Sequence, residues 1–349
     1  MRTDFLIIGA GLAGNILTDH LLKAGKSVEV LDDPSLSNSS KVAGGLYNPI
    51  TGREMVKTWN CDNLFDYLIP YYQDLEKELA AKFLIDRPIY RPFLSFEEQN
   101  EWMARSVDSQ FSPYINEILT KPSYPEVNDP YGGLLLDNSG YLNTSKFLEA
   151  VQNNLKERKL LINETFNADN LDSFEDHFEY GGKSYGHVIF CDGRLSVNNP
   201  FFSWLPFSLV KGELLFVRSN VTPKVVHNRG IFVIPLENGL LKCGSTYDHQ
   251  DLDENPTFHK AEELKSKVSK LMNFEFEIID QKAGVRPASR DRKPFIGEHP
   301  TIKRMWVFNG FGTKGVSLIP YYAKQFVERL NNKKELDKEV NIERYFSLF

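Results

Sequence analysis

The feature that most constrains this chain is a glycine-rich turn, GAGLAG at residues 9–14, which lies between two apolar segments. Residues 5–8 before the turn form a short apolar run that predicts a buried strand. After the turn, apolar residues recur at helical spacing until Gly25, and a second apolar run begins at Val28. The sequence therefore predicts a strand–turn–helix–strand unit at the start of the chain.

The three glycines of this turn have different tasks. Gly9 permits the sharp bend, Gly11 lets backbone N–H groups approach a pyrophosphate, and Gly14 lets helix and strand pack closely. Asp32 ends the second strand, at the position where a carboxylate binds ribose hydroxyls. This context predicts a dinucleotide site. A tight turn without a ligand is the alternative, and the pattern does not distinguish NAD from FAD.

The length, net charge and composition of the chain narrow the class of protein that it can form. A length of 349 residues predicts two domains or one large composite unit. The net charge of −6 gives no electrostatic support for binding DNA. The three cysteines and seven histidines show no metal-ligand spacing, so we expect reduced thiols in a cytoplasmic protein, and no metal. No apolar run approaches the ~18 residues that a membrane span needs, so no membrane contact is predicted.

The rest of the chain divides into unlike parts. Residues 58–83 predict a helix that is kinked or split at Pro70, and another helix starts near Thr144. In residues 207–246 apolar and polar residues alternate, as is typical of β-strands. The end of the chain returns to the order strand, glycine turn and helix. The opening and closing units are expected to share one sheet, with the β-rich middle as an inserted second domain.

Seven segments, in order along most of the chain, resemble the family of FAD-dependent amino-acid and amine oxidases that includes D-amino-acid oxidase, glycine oxidase and sarcosine oxidase. These segments are DFLIIGAGLAG, SSKVAGGLYNPITG, HVIFCDG, VKGELLFV, FVIPLENGLLKCGSTYD, AGVRPASRDRKPFIG and FNGFGTKGVSLIP. Residues 284–297 look most like glycine oxidase. The GGLYNP and GFGTKG segments look closer to the oxidase domain of the tRNA wobble-uridine modification enzyme, and residues 60–140 carry no such resemblance.

The resemblance implies an α/β fold: a Rossmann-like FAD-binding domain of the glutathione-reductase type with an inserted β-rich, antiparallel-sheet substrate domain. We predict the FAD-binding domain to be residues 1–58, 141–200 and 285–349, and the substrate domain to be residues 59–140 and 201–284. FAD is expected to be noncovalent, because FGTKGVSL lacks the anchoring cysteine of sarcosine oxidases. The predicted cofactor-binding residues are Gly9, Gly11, Leu12, Ala13, Gly14, Asp32, Asp33, Ala43, Gly44, Gly45, Leu46, Cys191, Asp192, Gly193, Gly310, Gly312, Thr313, Lys314, Gly315 and Val316.

Two cations are the predicted catalytic residues. The resemblance to glycine oxidase places Arg286 at the substrate carboxylate, a role that suits a guanidinium because it binds carboxylate bidentately. A structural ion pair with a neighbouring acid is the alternative. Lys242 resembles in position the lysine that promotes the reaction with oxygen beside the flavin in relatives of sarcosine oxidase, whereas glycine oxidase carries an apolar residue there. The alternative is a lysine on the solvent face of a strand, since alternation alone does not fix the buried face.

Two further features of the family bear on the predicted pocket. The active-site tyrosine of the family appears here as Phe232, and Tyr47, Tyr247 or His227 are candidates to replace it. In the GFGTKG turn, the N–H groups of Lys314, Gly315 and Val316 are expected to point at the C2 carbonyl of the flavin, where helix-terminus charge favours the reduced ring.

The leading functional hypothesis is an FAD-dependent enzyme that oxidises the C–N bond of an amino acid or an N-substituted glycine-type amine. Its electron acceptor would be oxygen or another oxidant, and the oligomeric state is left open. One alternative is modification of a tRNA wobble uridine, against which the acidic net charge counts. Another is a flavin-binding protein without turnover.

Overall fold

The computed structural model describes residues 2–36, 38–52, 54–332 and 334–349. The helices are α1 (Leu12–Lys23), α2 (Ser39–Val42), α3 (Cys61–Glu78), α4 (Phe96–Arg105), α5 (Thr144–Glu157), α6 (Phe258–Leu271) and α7 (Gly315–Asn332). The strands are β1 (Thr3–Ile8), β2 (Val28–Asp32), β3 (Leu46–Tyr47), β4 (Ile50–Thr51), β5 (Val56–Lys57), β6 (Leu84–Asp86), β7 (Ile89–Pro92), β8 (Ile115–Leu119), β9 (Gly133–Leu136), β10 (Gly140–Leu142), β11 (Leu161–Asn163), β12 (Asp172–Ser173), β13 (Phe178–Tyr180), β14 (Lys183–Phe190), β15 (Phe207–Arg218), β16 (Val226–Asn228), β17 (Phe232–Pro235), β18 (Leu240–Gly244), β19 (Glu277–Ser289), β20 (Phe295–Glu298) and β21 (Met305–Asn309).

The first large sheet has a parallel centre. Its strands run in the order β11-β2-β1-β14, and β21 continues the parallel set beside the end of β14. The short strands β12, β13 and β20 add antiparallel edges. The end of β1 and all of β21 are buried, as expected for parallel strands that are covered on both faces. The opening and closing units of the sequence therefore share one sheet, as predicted.

The second large sheet is antiparallel except at one pair. Its order is β19-β15-β18-β17-β16-β7-β9-β8, and only β16 and β7 run parallel. Helix α6 packs on β15 and β18, where Leu264 and Val268 are buried. The long pair β15–β19 forms one end of this sheet and carries Arg286.

Helix α3 is shorter than the predicted bounds of 58–83 at both ends, where Asn60 and Ala80 take positive φ values of 55° and 47°. Pro70 lies inside the helix without splitting it. The helix packs against α7, and the Tyr72 hydroxyl donates to the carbonyl of Val316 at 3.0 Å. We therefore propose that α3 belongs to the domain of the first sheet. The sequence instead predicts that residues 59–140 belong to the substrate domain.

Strand β19 continues across the predicted domain boundary between residues 284 and 285. Its ladder partner is β15, so Arg286 lies in the second sheet, and an isolated bridge joins Ala288 to Phe311. We propose that the boundary falls after Ser289. No helix among the described residues is long and apolar enough to cross a membrane.

Candidate functional site

The glycine turn between β1 and α1 has the close approaches that its sequence predicts. Gly9 has a φ of 104°, which favours glycine. A Cβ at Gly14 would lie 1.8 Å from the carbonyl oxygen of Gly9, so only glycine fits there. Helix α1 begins after Gly11 without a side-chain cap, which leaves the N–H groups of its first turn directed at the turn.

The residues around this turn fit a dinucleotide. The Ala10 N–H donates to the Asp32 carboxylate at 2.8 Å, which fixes that carboxylate at the end of β2. Burial raises the pKa of Asp32, while the bond from Ala10 opposes the shift. The Leu12 N–H donates to Ser40 Oγ at 3.1 Å, so a second polar group lies at the helix N-terminus. The helix N-terminus with the Ser40 hydroxyl beside it suits a pyrophosphate, and the Asp32 carboxylate suits a ribose.

The turn that follows β14 lies directly beside the glycine turn. A Cβ at Gly9 would be 2.6 Å from the Cys191 carbonyl oxygen. Asp192 accepts from Asn199 at 2.9 Å and from Asn309 at 3.2 Å, and burial raises its pKa. Cys191 is buried, and burial raises the pKa of its thiol well above the usual value. The side chains of this turn therefore serve packing and internal hydrogen bonds.

The Asp33 carboxylate is hydrogen-bonded within the protein at the surface. It accepts from the Ser35 hydroxyl at 2.6 Å and from the hydroxyl of Thr165. Hydrogen bonds from Ser35 and Thr165 lower its pKa.

The closing glycine turn lies against the strand that carries Arg286. The Gly312 N–H donates to the Pro287 carbonyl at 3.1 Å, and Gly310 and Gly312 have φ values of 80° and 54°. The Lys314 N–H donates to the Phe311 carbonyl at 3.2 Å, so this predicted donor is engaged within the turn. The N–H groups of Gly315 and Val316 open helix α7 and have no acceptor within the helix.

The Lys314 side chain turns towards the short hairpin β4–β5. Its ammonium donates to Thr51 Oγ1 at 3.2 Å. Burial lowers the pKa of Lys314, and the nearby cations Arg292 and Lys293 lower it further. This adds a desolvated cation beside the closing turn.

The register of the second sheet places the predicted catalytic residues on one face. Arg286 pairs with Val210 on β15, and Leu214 on the same strand pairs with Gly244 on β18. Residues that lie directly opposite each other, or two apart on one strand, share a face. Arg286, Lys242 and Phe232 therefore project from the same side, because Gly244 also pairs with Phe232.

Residues 39–45 cover this face of the sheet. The Lys242 ammonium donates to the Ala43 carbonyl at 3.2 Å. The Phe232 ring lies so close to Gly44 that a Cβ there would be 2.6 Å from Cζ. Gly45 has a φ of 78°, and a Cβ on it would be 2.0 Å from the Leu142 carbonyl oxygen. The predicted flavin loop, which continues to Leu46 in β3, thus contacts the strands that carry Lys242 and Phe232.

Arg286 is a desolvated cation with neutral hydrogen-bond partners. Its Nη2 donates to Ser245 Oγ at 2.8 Å, and its Nη1 donates to the Thr246 carbonyl at 3.4 Å. Burial lowers its pKa, an effect that Tyr247 partly opposes. Within the described part of the chain it forms no ion pair at the 4.0 Å limit. The structural ion pair considered from the sequence is therefore absent from these residues.

Lys242 does not lie on the solvent face of its strand. Its relative exposure is 7%, and burial lowers its pKa to about 8, with a smaller contribution from Lys282. Its ammonium also lies 5.6 Å from the centre of the Phe216 ring. The solvent-face alternative is thus wrong.

Of the three candidates to replace the family tyrosine, only Tyr247 lies at Arg286. The Tyr247 ring centre is 5.0 Å from Arg286 Cζ, and the side chain is 63% exposed. The Tyr47 hydroxyl instead donates to the Ile85 carbonyl at 3.4 Å within the core. The His227 ring contacts Glu126 at 3.4 Å on the far strand β16.

Sequence reasoning missed Ser40, Gly212 and Ser245. Ser40 accepts from the first turn of α1, and Ser245 accepts from Arg286. A Cβ at Gly212 would be 1.9 Å from Arg286 Nη2. A glycine inside the alternating run SLVKGELLF was the available signal, because a mid-strand glycine marks a close approach.

Comparison with known proteins gives a consistent result. Residues 4–329 match the sequence profile of the family described as FAD dependent oxidoreductase. Glycine oxidase of Bacillus subtilis (strain 168) is 24% identical over 95% of this chain and 94% of its own length. The tRNA 5-methylaminomethyl-2-thiouridine biosynthesis bifunctional protein MnmC of Legionella pneumophila subsp. pneumophila (strain Philadelphia 1) is 21% identical, and the match covers 94% of this chain but 54% of that protein.

Solved structures share the fold. Glycine oxidase from Geobacillus kaustophilus superposes with a TM-score of 0.79 at 18% identity, covering 99% of this chain and 98% of that chain. Iminodiacetate oxidase from Chelativorans sp. BNC1 gives 0.78 at 17% identity, covering 98% of both chains. The predicted fold class, a Rossmann-like FAD-binding domain with an added sheet domain, is confirmed.

Proposed function

This chain belongs to the FAD-dependent oxidoreductase family, and we propose that it oxidises the C–N bond of an amino acid or an N-substituted glycine-type amine. Members of the family are FAD-dependent enzymes, which favours turnover over mere flavin binding. FAD, when bound, would supply the acceptor for a hydride from the substrate carbon. What the protein must add is orientation of the substrate and a suitable electrostatic environment.

The observation that carries this proposal is Arg286. A buried guanidinium costs free energy unless it is paired, and the described residues supply it with neutral acceptors only. A substrate carboxylate would complete the pair in bidentate geometry. Arg286 would hold the carboxylate beside the loop of residues 39–45, so that the neighbouring C–N bond faces the predicted flavin position.

Lys242 would assist the second half of the reaction, in which the reduced flavin is reoxidised. Its ammonium is buried beside the flavin loop and its pKa is lowered to about 8, so it is largely charged at neutral pH. A cation at that position stabilises negative charge that develops on oxygen during reoxidation. We propose oxygen as the acceptor, with another oxidant as the alternative if Lys242 proves irrelevant to reoxidation.

Phe232 lines another side of the proposed substrate pocket. Its ring lies between Gly44 and Gly244, where a Cβ would come within 2.6 Å and 2.8 Å of Cζ. It offers no hydroxyl to the substrate, so the pocket next to Arg286 is apolar on this side. This favours an amine that carries an apolar side chain or N-substituent.

Modification of a tRNA wobble uridine is kept as a second candidate because the similarity to MnmC extends over 94% of this chain. The chain spans about half of that relative, and its net charge is −6. This candidate requires RNA binding that is strongly weakened by salt.

An anaerobic bleaching screen tests the proposal. FAD-loaded protein is mixed with amino acids, N-methyl amino acids and the aminomethyl-uridine nucleoside, and the flavin absorbance is followed. Bleaching by a small amino acid, with colour and peroxide returning in air, is expected. Bleaching by the nucleoside alone would favour the second candidate, and protein that cannot be loaded with FAD would exclude both.

A further inference from the structure

We propose that a one-residue bulge at Ser245 positions the Arg286 guanidinium, and that Ser245 and Gly212 are positioning residues for the binding of the substrate carboxylate. This inference rests on the proposed role of Arg286 and adds how its side chain is held. The segment concerned, Ser245–Tyr247, directly follows β18 and lies beside β15.

The bulge is visible in the register between β18 and β15. Leu214 pairs with Gly244 at the end of the regular ladder. Further along, Lys211 forms a bridge with Asp248, with N–H···O distances of 2.8 Å and 2.9 Å in the two directions. An unshifted ladder would pair Lys211 with residue 247, so one extra residue has been inserted. The Thr246 N–H donates to the Glu213 carbonyl at 3.1 Å and resumes the pairing.

This shift changes which face each following side chain occupies. In an unshifted ladder, Tyr247 would lie opposite Lys211, on the face that points away from Arg286. With the extra residue, Tyr247 lies opposite Gly212, on the same face as Arg286. The observed distance of 5.0 Å between the Tyr247 ring centre and Arg286 Cζ agrees with this.

Two acceptors of the bulged segment then fix the guanidinium. Ser245 Oγ accepts from Nη2 at 2.8 Å, and the Thr246 carbonyl accepts from Nη1 at 3.4 Å. A guanidinium has five N–H donors, so these two bonds leave three for a carboxylate. Both acceptors are neutral and therefore orient the cation without cancelling its charge.

Gly212 provides the space in which the guanidinium lies. A Cβ there would be 1.9 Å from Nη2, 2.2 Å from Cζ and 2.4 Å from Nη1. These similar distances show that the Cβ would lie against the whole guanidinium group rather than one of its tips. Any other residue at position 212 would displace it.

Side chains on the face of β15 opposite to Arg286 anchor the chain that follows the segment Ser245–Tyr247. The Lys211 ammonium lies 2.6 Å from both Asp251 and Asp253, and it is buried. The Glu213 carboxylate accepts from the Thr257 N–H at 2.8 Å and from the Thr257 hydroxyl at 3.0 Å. The loop that carries Ser245 is thus anchored beyond the bulge, and the guanidinium position is set before a ligand arrives.

The test uses FAD-loaded protein and acetate, a simple carboxylate, whose binding is followed by the change in the visible flavin spectrum. Ser245→Ala is expected to raise the dissociation constant by at least about 10-fold, as loss of one hydrogen bond to a charged group predicts. Ser245→Thr, which keeps a hydroxyl, should restore most of the affinity. Ser219→Ala, a change to a serine that directly follows β15 at the end far from Arg286, should bind acetate as the unaltered protein does.

Gly212→Ala should abolish measurable acetate binding while FAD remains bound. For the amino acid found by bleaching, Ser245→Ala should raise KM more than it lowers kcat, and it should not raise KM for the corresponding amine without a carboxylate. If Gly212→Ala fails to fold, Ser245→Ala decides alone.

The outcomes separate this inference from the proposed function. Normal acetate affinity in Ser245→Ala, combined with loss of binding in Arg286→Leu, would overturn the positioning role and leave the carboxylate role of Arg286 intact. Normal acetate affinity in Arg286→Leu would overturn both.

Discussion

At the scale of single residues, the site is defined by cations, of which Lys242 is buried and Arg286 and Lys314 are half-buried. Arg286 and Lys242 project from one face of the second sheet, and Lys314 approaches from the closing turn. Burial lowers the pKa of all three. Each is bound to neutral oxygens, so the described part of the chain leaves positive charge where an acid and a reduced flavin would bring negative charge.

Arg286→Leu should leave FAD binding intact and weaken a carboxylate substrate. Loss of a desolvated charge pair costs about 2–5 kcal/mol, so kcat/KM should fall by at least about 30-fold. Steady-state kinetics with the amino acid found by bleaching measure this. Arg290→Leu, a change to an exposed arginine four residues away, is the matched control. Equal kinetics in the two variants would reject the carboxylate role.

Lys242→Met should stabilise the apoprotein at neutral pH. A lysine whose pKa falls on folding destabilises the folded state, and that cost disappears as pH rises from about 8 towards its unfolded value of 10.5. The full cost below pH 8 is about 3 kcal/mol, from which loss of the bond to Ala43 must be subtracted. Urea unfolding at pH 7 and pH 10 measures the difference.

The gain in the free energy of unfolding of Lys242→Met should be smaller at pH 10 than at pH 7. Lys224→Met, a change to an exposed lysine, should show no such difference. A gain that is independent of pH would contradict the proposed burial of a charged lysine.

At the scale of elements, the sequence predicted best what depends on local periodicity. The unit β1–α1–β2 and the start of helix α5 lie within a few residues of their predicted positions. Helix α3 was predicted too long, because the positive φ values of Asn60 and Ala80 that bound it have no signal in an apolar helical pattern. The face on which Lys242 lies and the bulge at Ser245 were not predictable, since strand alternation specifies neither the partner strand nor its register.

The glycine turn itself yields a prediction at this scale. Gly14→Ala should abolish FAD binding and destabilise the protein by more than about 3 kcal/mol, because its Cβ would overlap the Gly9 carbonyl oxygen at 1.8 Å. Gly181→Ala is the control: nothing lies within 4 Å of its Cβ, so only the positive φ of 56° opposes it, at a cost of about 1 kcal/mol. Equal effects in chemical unfolding would show that the turn is not tightly packed.

At the scale of the whole molecule, two sheets meet across residues 39–45. The first sheet brings together three turns, at residues 9–14, 191–193 and 310–316, and the second contributes Arg286 and Lys242. Gly284 in the second sheet also meets this segment, since a Cβ there would be 3.3 Å from Val42 Cβ. A dinucleotide on the first sheet would therefore end beneath the cations of the second.

The central claim is that Arg286 anchors the carboxylate of an amine substrate beside the flavin. The most direct measurement is the anaerobic rate of flavin bleaching by an N-alkyl glycine, compared with the same amine lacking its carboxylate. We expect the carboxylate-bearing amine to bleach the flavin at least about 30-fold faster at equal low concentration, as an ion pair worth about 2 kcal/mol or more requires. Equal rates for the two amines, with FAD fully bound, would contradict it.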